Sequence, residues 1–248
     1  FPYTTLFRSI AAVANERGVV IEEWRGRLGA STRVRDKQVP VLYYKSRYAD
    51  RNPIGKPEVL RSAPVQRLRD FYDTWYRPER IAVVIVGDID PAAMETAIKD
   101  SFGALRDRAP QAALPDATVP LQTEDLVSIV SDPEVTSSSV QLLRKRPAEG
   151  DSLVADYRRG IVGSLFSRML NDRFSELARK ADAPFLSAGG GGGSLTPTVD
   201  TFGLNARVTD GNITQGLTAV QIEARRVLQH GFTQSEMDRA RSEERRVG

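Results

Sequence analysis

Residues 81–86, Ile81-Ala82-Val83-Val84-Ile85-Val86, form an unbroken apolar run between Pro78 and the Gly87-Asp88 pair. The run is far too short to span a bilayer and reads as a buried strand, covered on both faces. Helical patterns on either side can supply that cover. Upstream, residues 63–76 place Val65, Leu68, Phe71, Tyr72 and Trp75 at steps of three and four, and Pro78 ends that helix. Downstream, Asp90 is placed to cap a helix with Pro91 at its first position, running through Met94, Ala97, Ile98 and Phe102 to Gly103.

The rest of the chain extends this pattern to one and a half copies of an α+β unit. Residues 10–28 form a first helix, with Gly29 as its expected C-cap. An irregular stretch containing Pro40, Pro53 and Pro57 follows. Residues 106–125 turn to Pro, Ala, Asp and Gln and read as an interdomain linker. A second unit then has strands at 126–130 and 138–143 and a long helix over 151–180. The apolar side of that helix carries Leu153, Tyr157, Ile161, Leu165, Met169, Phe174 and Leu177. An alternating strand over 202–208 and an amphipathic helix over 213–228 complete it. The expected fold class is α+β, with antiparallel or mixed sheets packed by helices. The chain would hold part of a first domain (10–105) and most of a second (126–240).

Two carboxylates stand out on the first helix. Glu16 and Glu23 are seven residues apart, so two turns place them on one face, about 10.5 Å apart along the axis. Ile10, Val13, Val20, Ile21, Trp24 and Leu28 give the same helix an apolar surface. A carboxylate beside such a surface is costly to bury unless a cation meets it, and a metal ion is one such cation. Spacing alone favours the plainer reading of ordinary surface glutamates on a solvated helix.

Phe71-Tyr72-Asp73-Thr74-Trp75-Tyr76-Arg77-Pro78, followed by the 81–86 run and Gly87-Asp88-Ile89-Asp90-Pro91, resembles the signature of the pitrilysin/insulinase family of zinc metallopeptidases. In that family a helix reading Glu-Arg-x-Val-Val-x-x-Glu follows the H-x-x-E-H zinc helix, and Glu16-Arg17-Gly18-Val19-Val20-Ile21-Glu22-Glu23 matches it. Tyr48-Ala49-Asp50-Arg51-Asn52-Pro53-Ile54-Gly55 is similar to the large bacterial members, and Arg168-Met169-Leu170-Asn171-Asp172-Arg173 to the matching helix of the second domain. The resemblance implies that Glu23 is the third ligand of one Zn2+ and Glu16 its supporting carboxylate. Two histidines elsewhere would complete the ligand set, and a glutamate between them would deprotonate a zinc-bound water. The implied substrate is an unfolded peptide or small protein enclosed between two halves of the molecule. Bacterial relatives imply a periplasmic location.

The chain also departs from the pattern. No H-x-x-E-H is present, and the one histidine, His230, lies far downstream. The chain therefore reads as an interior fragment that needs the N-terminal part and the second half of the same enzyme as partners, and is inactive alone. A non-catalytic family subunit, acting in assembly or peptide binding, is the alternative; retention of both glutamates argues against it. An unrelated α+β binding module is a further rival. Residues 1–9 and 241–248 fit no family element and resemble translated sequencing-adaptor read-through, so they are set aside from the fold reading.

Composition narrows the remaining classes. The 248 residues carry a net charge of +3, but the arginines are scattered with no aromatic-interleaved basic stripe, which argues against nucleic acid as a partner. Absence of cysteine removes disulfide, thiol-nucleophile and Cys-zinc chemistry together. The glycine run 189–193 lacks the following Lys-Ser or Lys-Thr of a phosphate loop and reads as a flexible hairpin loop. His230 beside Gly231 reads as a helix C-terminal residue, and Asp132-Pro133-Glu134 as a plain turn.

Overall fold

The computed structural model describes residues 10–107 and 112–247. The first set-aside end, Gly248 and four residues of the expected linker lie outside them. The helices are α1 (Ile10–Gly26), α2 (Ala30–Leu42), α3 (Pro57–Ser62), α4 (Val65–Trp75), α5 (Pro91–Phe102), α6 (Val154–Ala178), α7 (Ile213–His230) and α8 (Gln234–Val247). The strands are β1 (Ser138–Pro147), β2 (Ser187–Thr196) and β3 (Val199–Val208). The class is α+β, as expected. The chain divides into two units, one of residues 10–28 and 51–116, the other of residues 29–50 and 117–247. Residues 29–50, which the sequence reading places in the first domain, thus group with the second unit.

In the first unit, α4 starts after Pro64 and α5 is capped as its residues dictate. The Asp90 carboxylate accepts from the backbone N–H of Ala92 at 2.8 Å and of Ala93 at 3.1 Å, with Pro91 in the first turn. Residues 81–86, expected as a buried strand, belong to no helix or sheet, and Val84 and Val86 are 81% and 91% exposed. A strand exists only when its N–H and C=O groups find a neighbouring strand, and the described residues supply none here. The expected strand at 126–130 is unpaired for the same reason, with Ile129 93% exposed.

The stretch after the first helix also differs from expectation. Helix α1 stops at Gly26, and Gly29 is not its C-cap but the extended N-cap of α2. Pro40 sits inside α2, two residues from its end. A proline there removes hydrogen bonding only in the last turn, so α2 tolerates it. Pro57 opens the short α3, where its missing N–H would be unpaired in any case. Residues 29–50 are held to the second unit by Arg33, whose guanidinium forks onto both oxygens of Asp132 (2.7 and 2.8 Å) and reaches Glu134 at 2.8 Å. The Asp132-Pro133-Glu134 segment is indeed a turn, closed by the N–H of Val135 on the Asp132 carbonyl, and it is also an anchor for that arginine.

The second unit is a three-stranded antiparallel sheet in the order β1-β3-β2 with helices against it. Alternation in β3 turns Phe202, Leu204, Ala206 and Val208 inward and leaves Asn205 and Arg207 exposed, as its sequence period requires. The core gathers Leu170 and Phe174 of α6, Phe185, Ala206 and Val208, and Val220 and Val227 of α7. The glycine run is no flexible loop: it forms the middle of β2, each residue paired across to β3. A Cβ on Gly190 would lie 2.8 Å from a methyl of Leu170 and of Leu204. The side-chain amide of Asn171 on α6 donates to the Gly190 carbonyl at 3.0 Å and accepts its N–H at 2.8 Å. Glycine lets α6 approach the strand closely enough for this pairing.

Gly216 in α7 is a second close approach. Its added methyl would collide with a γ-methyl of Val208, a fully buried residue. Gly216→Ala should therefore destabilise the second unit by about 1–3 kcal/mol. Gly160 and Gly163 in α6 have nothing within 4 Å of such a methyl. Gly160→Ala should stabilise by about 0.5–1 kcal/mol through helix propensity alone. Thermal denaturation of the two variants should shift in opposite directions.

Candidate functional site

Helix α1 buries Val13, keeps Arg17, Val20, Ile21 and Trp24 half-buried, and exposes Glu16, Glu22 and Glu23. At about 100° per residue, Glu16 and Glu23 are only about 20° apart around the axis, at the rim of the apolar stripe. The shared face expected from the spacing is thus present on a real helix, and it is open. The Glu23 carboxylate pairs with Arg27, the two side chains 52% and 60% exposed, and Glu22 pairs with Arg25.

Two carboxylates about 10.5 Å apart along one helix cannot both ligate a single ion, since zinc–oxygen bonds are about 2.0–2.2 Å. One of the pair can be a direct donor and the other can only act at a distance. No group of three His, Cys, Asp or Glu that could hold a metal ion comes together among the described residues. His230 ends α7 in the second unit, followed by Gly231 at φ 68, as its helix-end reading requires. The donors among the described residues therefore do not by themselves gather the three protein ligands a zinc site needs. The Glu23–Arg27 pair is no obstacle to ligation, because an exposed i,i+4 pair is worth only about 0.3–0.5 kcal/mol.

Arg17 is the residue that spacing did not single out. Its guanidinium donates to the carbonyl of Arg61 at 3.1 Å and to the carbonyl of Ala63. The signal was present in the sequence, as an arginine between Glu16 and the apolar Val19-Val20-Ile21. What it reaches lies 44 and 46 residues away, which no local pattern reveals.

A family model described as the peptidase M16 inactive domain matches residues 62–244. That interval starts after α1, so it speaks for the chain and not for the two glutamates. A zinc protease PQQL-like protein of Arabidopsis thaliana is 33% identical over 193 residues, covering 77% of this chain and 20% of that protein. The crystal structure of the periplasmic protease PqqL from Escherichia coli superposes with a TM-score of 0.80 at 24% identity, over 95% of this chain and 26% of that one. A mutant of the ferredoxin protease FusC, solved in complex with Arabidopsis ferredoxin, gives a TM-score of 0.77 at 26% identity over 96% of this chain and 26% of that one. The chain thus spans about a fifth to a quarter of the length of these relatives. No helix among the described residues is long and apolar enough to cross a membrane. With a family match over most of its length and the α+β fold of these proteases, the chain belongs to the M16 peptidase family.

Proposed function

We propose that this chain is the part of a zinc-dependent metalloendopeptidase that carries the carboxylate face. Glu23 serves as the metal-ligating carboxylate, and Glu16 supports it from one side of the same helix. The observation that carries this reading is the exposed, shared face of Glu16 and Glu23 on α1, in a chain whose relatives are named zinc proteases. The two histidine ligands and the general-base glutamate come from outside the described residues. The substrate is an unfolded peptide or small protein, and the working compartment is the periplasm, as for the PqqL relative. The partners are the upstream part and the second half of the same enzyme.

Reading the gene upstream of the Phe1 codon tests this: an in-frame H-x-x-E-H supports the peptidase, and its absence favours the non-catalytic subunit. The description of the matched domain as inactive gives that second reading its footing. In the longer protein, Glu23→Gln should remove zinc and activity together, because a neutral amide is a poor zinc ligand. Glu16→Gln should weaken zinc by roughly 10- to 100-fold, and Glu22→Gln, turned about 100° off the face, should be nearly silent. An essential Glu22 with a dispensable Glu23 would overturn the register.

On the chain by itself, titration calorimetry with zinc at neutral pH should reveal no site tighter than about micromolar, since one carboxylate leaves the ion mostly hydrated. A stoichiometric nanomolar site would sink the assignment.

A further inference from the structure

Glu16 and Glu23 are useful only if α1 is held at one rotational angle, since a turn of about 100° exchanges them for their neighbours. The helix's apolar contacts do not set that angle well. Among its described side chains Val13 alone is fully buried, and apolar burial is non-directional. Its charged groups mostly stay within the helix: Arg25 pairs with Glu22, and Arg27, just past the end, pairs with Glu23. Arg17 differs. It lies about 100° around the helix from Glu16 and about 120° from Glu23. Both of its guanidinium NH2 groups leave the helix, one to the Arg61 carbonyl at 3.1 Å and the other to the Ala63 carbonyl. Arg61 is in the last turn of α3 and Ala63 is its C-cap, where carbonyls lack helical partners and a cation is favoured. A planar fork bonded at two points resists rotation as one point contact does not.

We propose that Arg17 is a positioning residue: by clamping α1 to the C-terminal end of α3 it sets the rotational angle at which Glu16 and Glu23 are presented. This rests on the reading of Glu23 as a metal ligand, but it is tested without metal. The chain has no cysteine, so Val19→Cys on α1 and Val59→Cys on α3, at positions 60% and 54% exposed, accept spin labels cleanly. Pulsed electron spin resonance in sucrose, which favours the compact state, then reads the distance distribution between the two helices. The background chain should give one narrow peak. Arg17→Met should lose it to a broad distribution, while circular dichroism keeps its helical signal. Arg17→Lys, which keeps the charge but replaces the planar fork with a point ammonium on a flexible stem, should fall between them.

An Arg17→Met distribution with the same centre and width as the background overturns the proposal, even if the melting temperature drops, because Arg17 then only adds stability. A background peak that is already broad overturns it too. If Arg17→Met loses helical signal, Arg17→Lys decides: a peak as narrow as the background removes the need for the fork. A failed role for Glu23 in zinc binding is read separately by calorimetry and leaves the distance result standing.

Discussion

Trypsin added to the native chain at 37 °C should consume residues 10–105 well before it damages 126–240. The first cut that persists should fall within 106–124, with Arg106 as an available site, leaving a C-terminal core. The reason is the distribution of buried apolar side chains. Among the described apolar residues of the first unit only Val13 is buried, whereas Leu170, Phe174, Phe185, Val208, Val220 and others close the second. The first unit leaves Phe71 and Tyr76 57% and 56% exposed, besides Val84 and Val86. Each such side chain forgoes about 1.5–3 kcal/mol of burial, and four or five of them equal a domain's usual margin of about 5–15 kcal/mol. Such a unit opens often, and proteolysis follows the open population. Residues 29–50, held by the Arg33–Asp132 fork, should be the last of the N-terminal part to go. Equal protection of both parts would show that the first unit is complete as it stands.

Arg173→Met should produce the largest loss of stability of any single substitution considered for the second unit. Arg173 joins three helices: its guanidinium bonds Glu223 of α7 at 3.1 Å, Glu236 of α8 at 2.5 and 2.9 Å, and the Gly231 carbonyl at 3.1 Å. It also lies over the Phe232 ring, 4.9 Å from the centroid. The Glu223 and Glu236 side chains are 4% and 12% exposed, so removing the cation takes the forked partner from two largely buried carboxylates, leaving Glu223 with Arg226 at 3.3 Å and Glu236 with Thr233. Breaking such a pair from one side costs about 3–5 kcal/mol, which for a unit of this size lowers the melting temperature by about 6–20 °C. The exposed Arg239–Glu176 pair, 60% accessible on both sides, is the control, and Arg239→Ala should change stability by at most about 0.5 kcal/mol. Acid supplies an independent check. The Arg173 guanidinium, aided by Thr233, holds the Glu236 carboxyl down at about 2, whereas the unfolded chain's is about 4.3. The unfolded state then binds more protons between these values, so the pair's contribution is complete above about pH 4.3 and lost as pH falls towards 2. The gap between the parent and Arg173→Met should shrink over that window. A gap that stays constant would mean the variant acts through packing alone.

Local chemistry made several elements legible in the sequence. Asp90-Pro91 announced the start of α5, the alternation over 202–208 announced β3, and His230-Gly231 marked the end of α7, because caps, side-chain period and a glycine at positive φ act over a few residues. The shared face of Glu16 and Glu23 was legible for the same reason, since seven residues are nearly two whole helical turns. Tertiary structure alone decided what depends on distant partners. The 81–86 run has strand composition, but a strand needs a neighbour for its backbone, and none stands among the described residues. Five glycines looked like a flexible loop, yet α6 packs against them closely enough for Asn171 to bond the strand at Gly190, so the missing side chains became a packing requirement. Arg17 and Arg173 stand in the sequence only as members of motif-like segments, and only the folded chain shows each reaching other elements 44 to 63 residues away. Backbone propensity and side-chain period are local and can be read along the chain, whereas hydrogen-bond partners brought together by folding cannot.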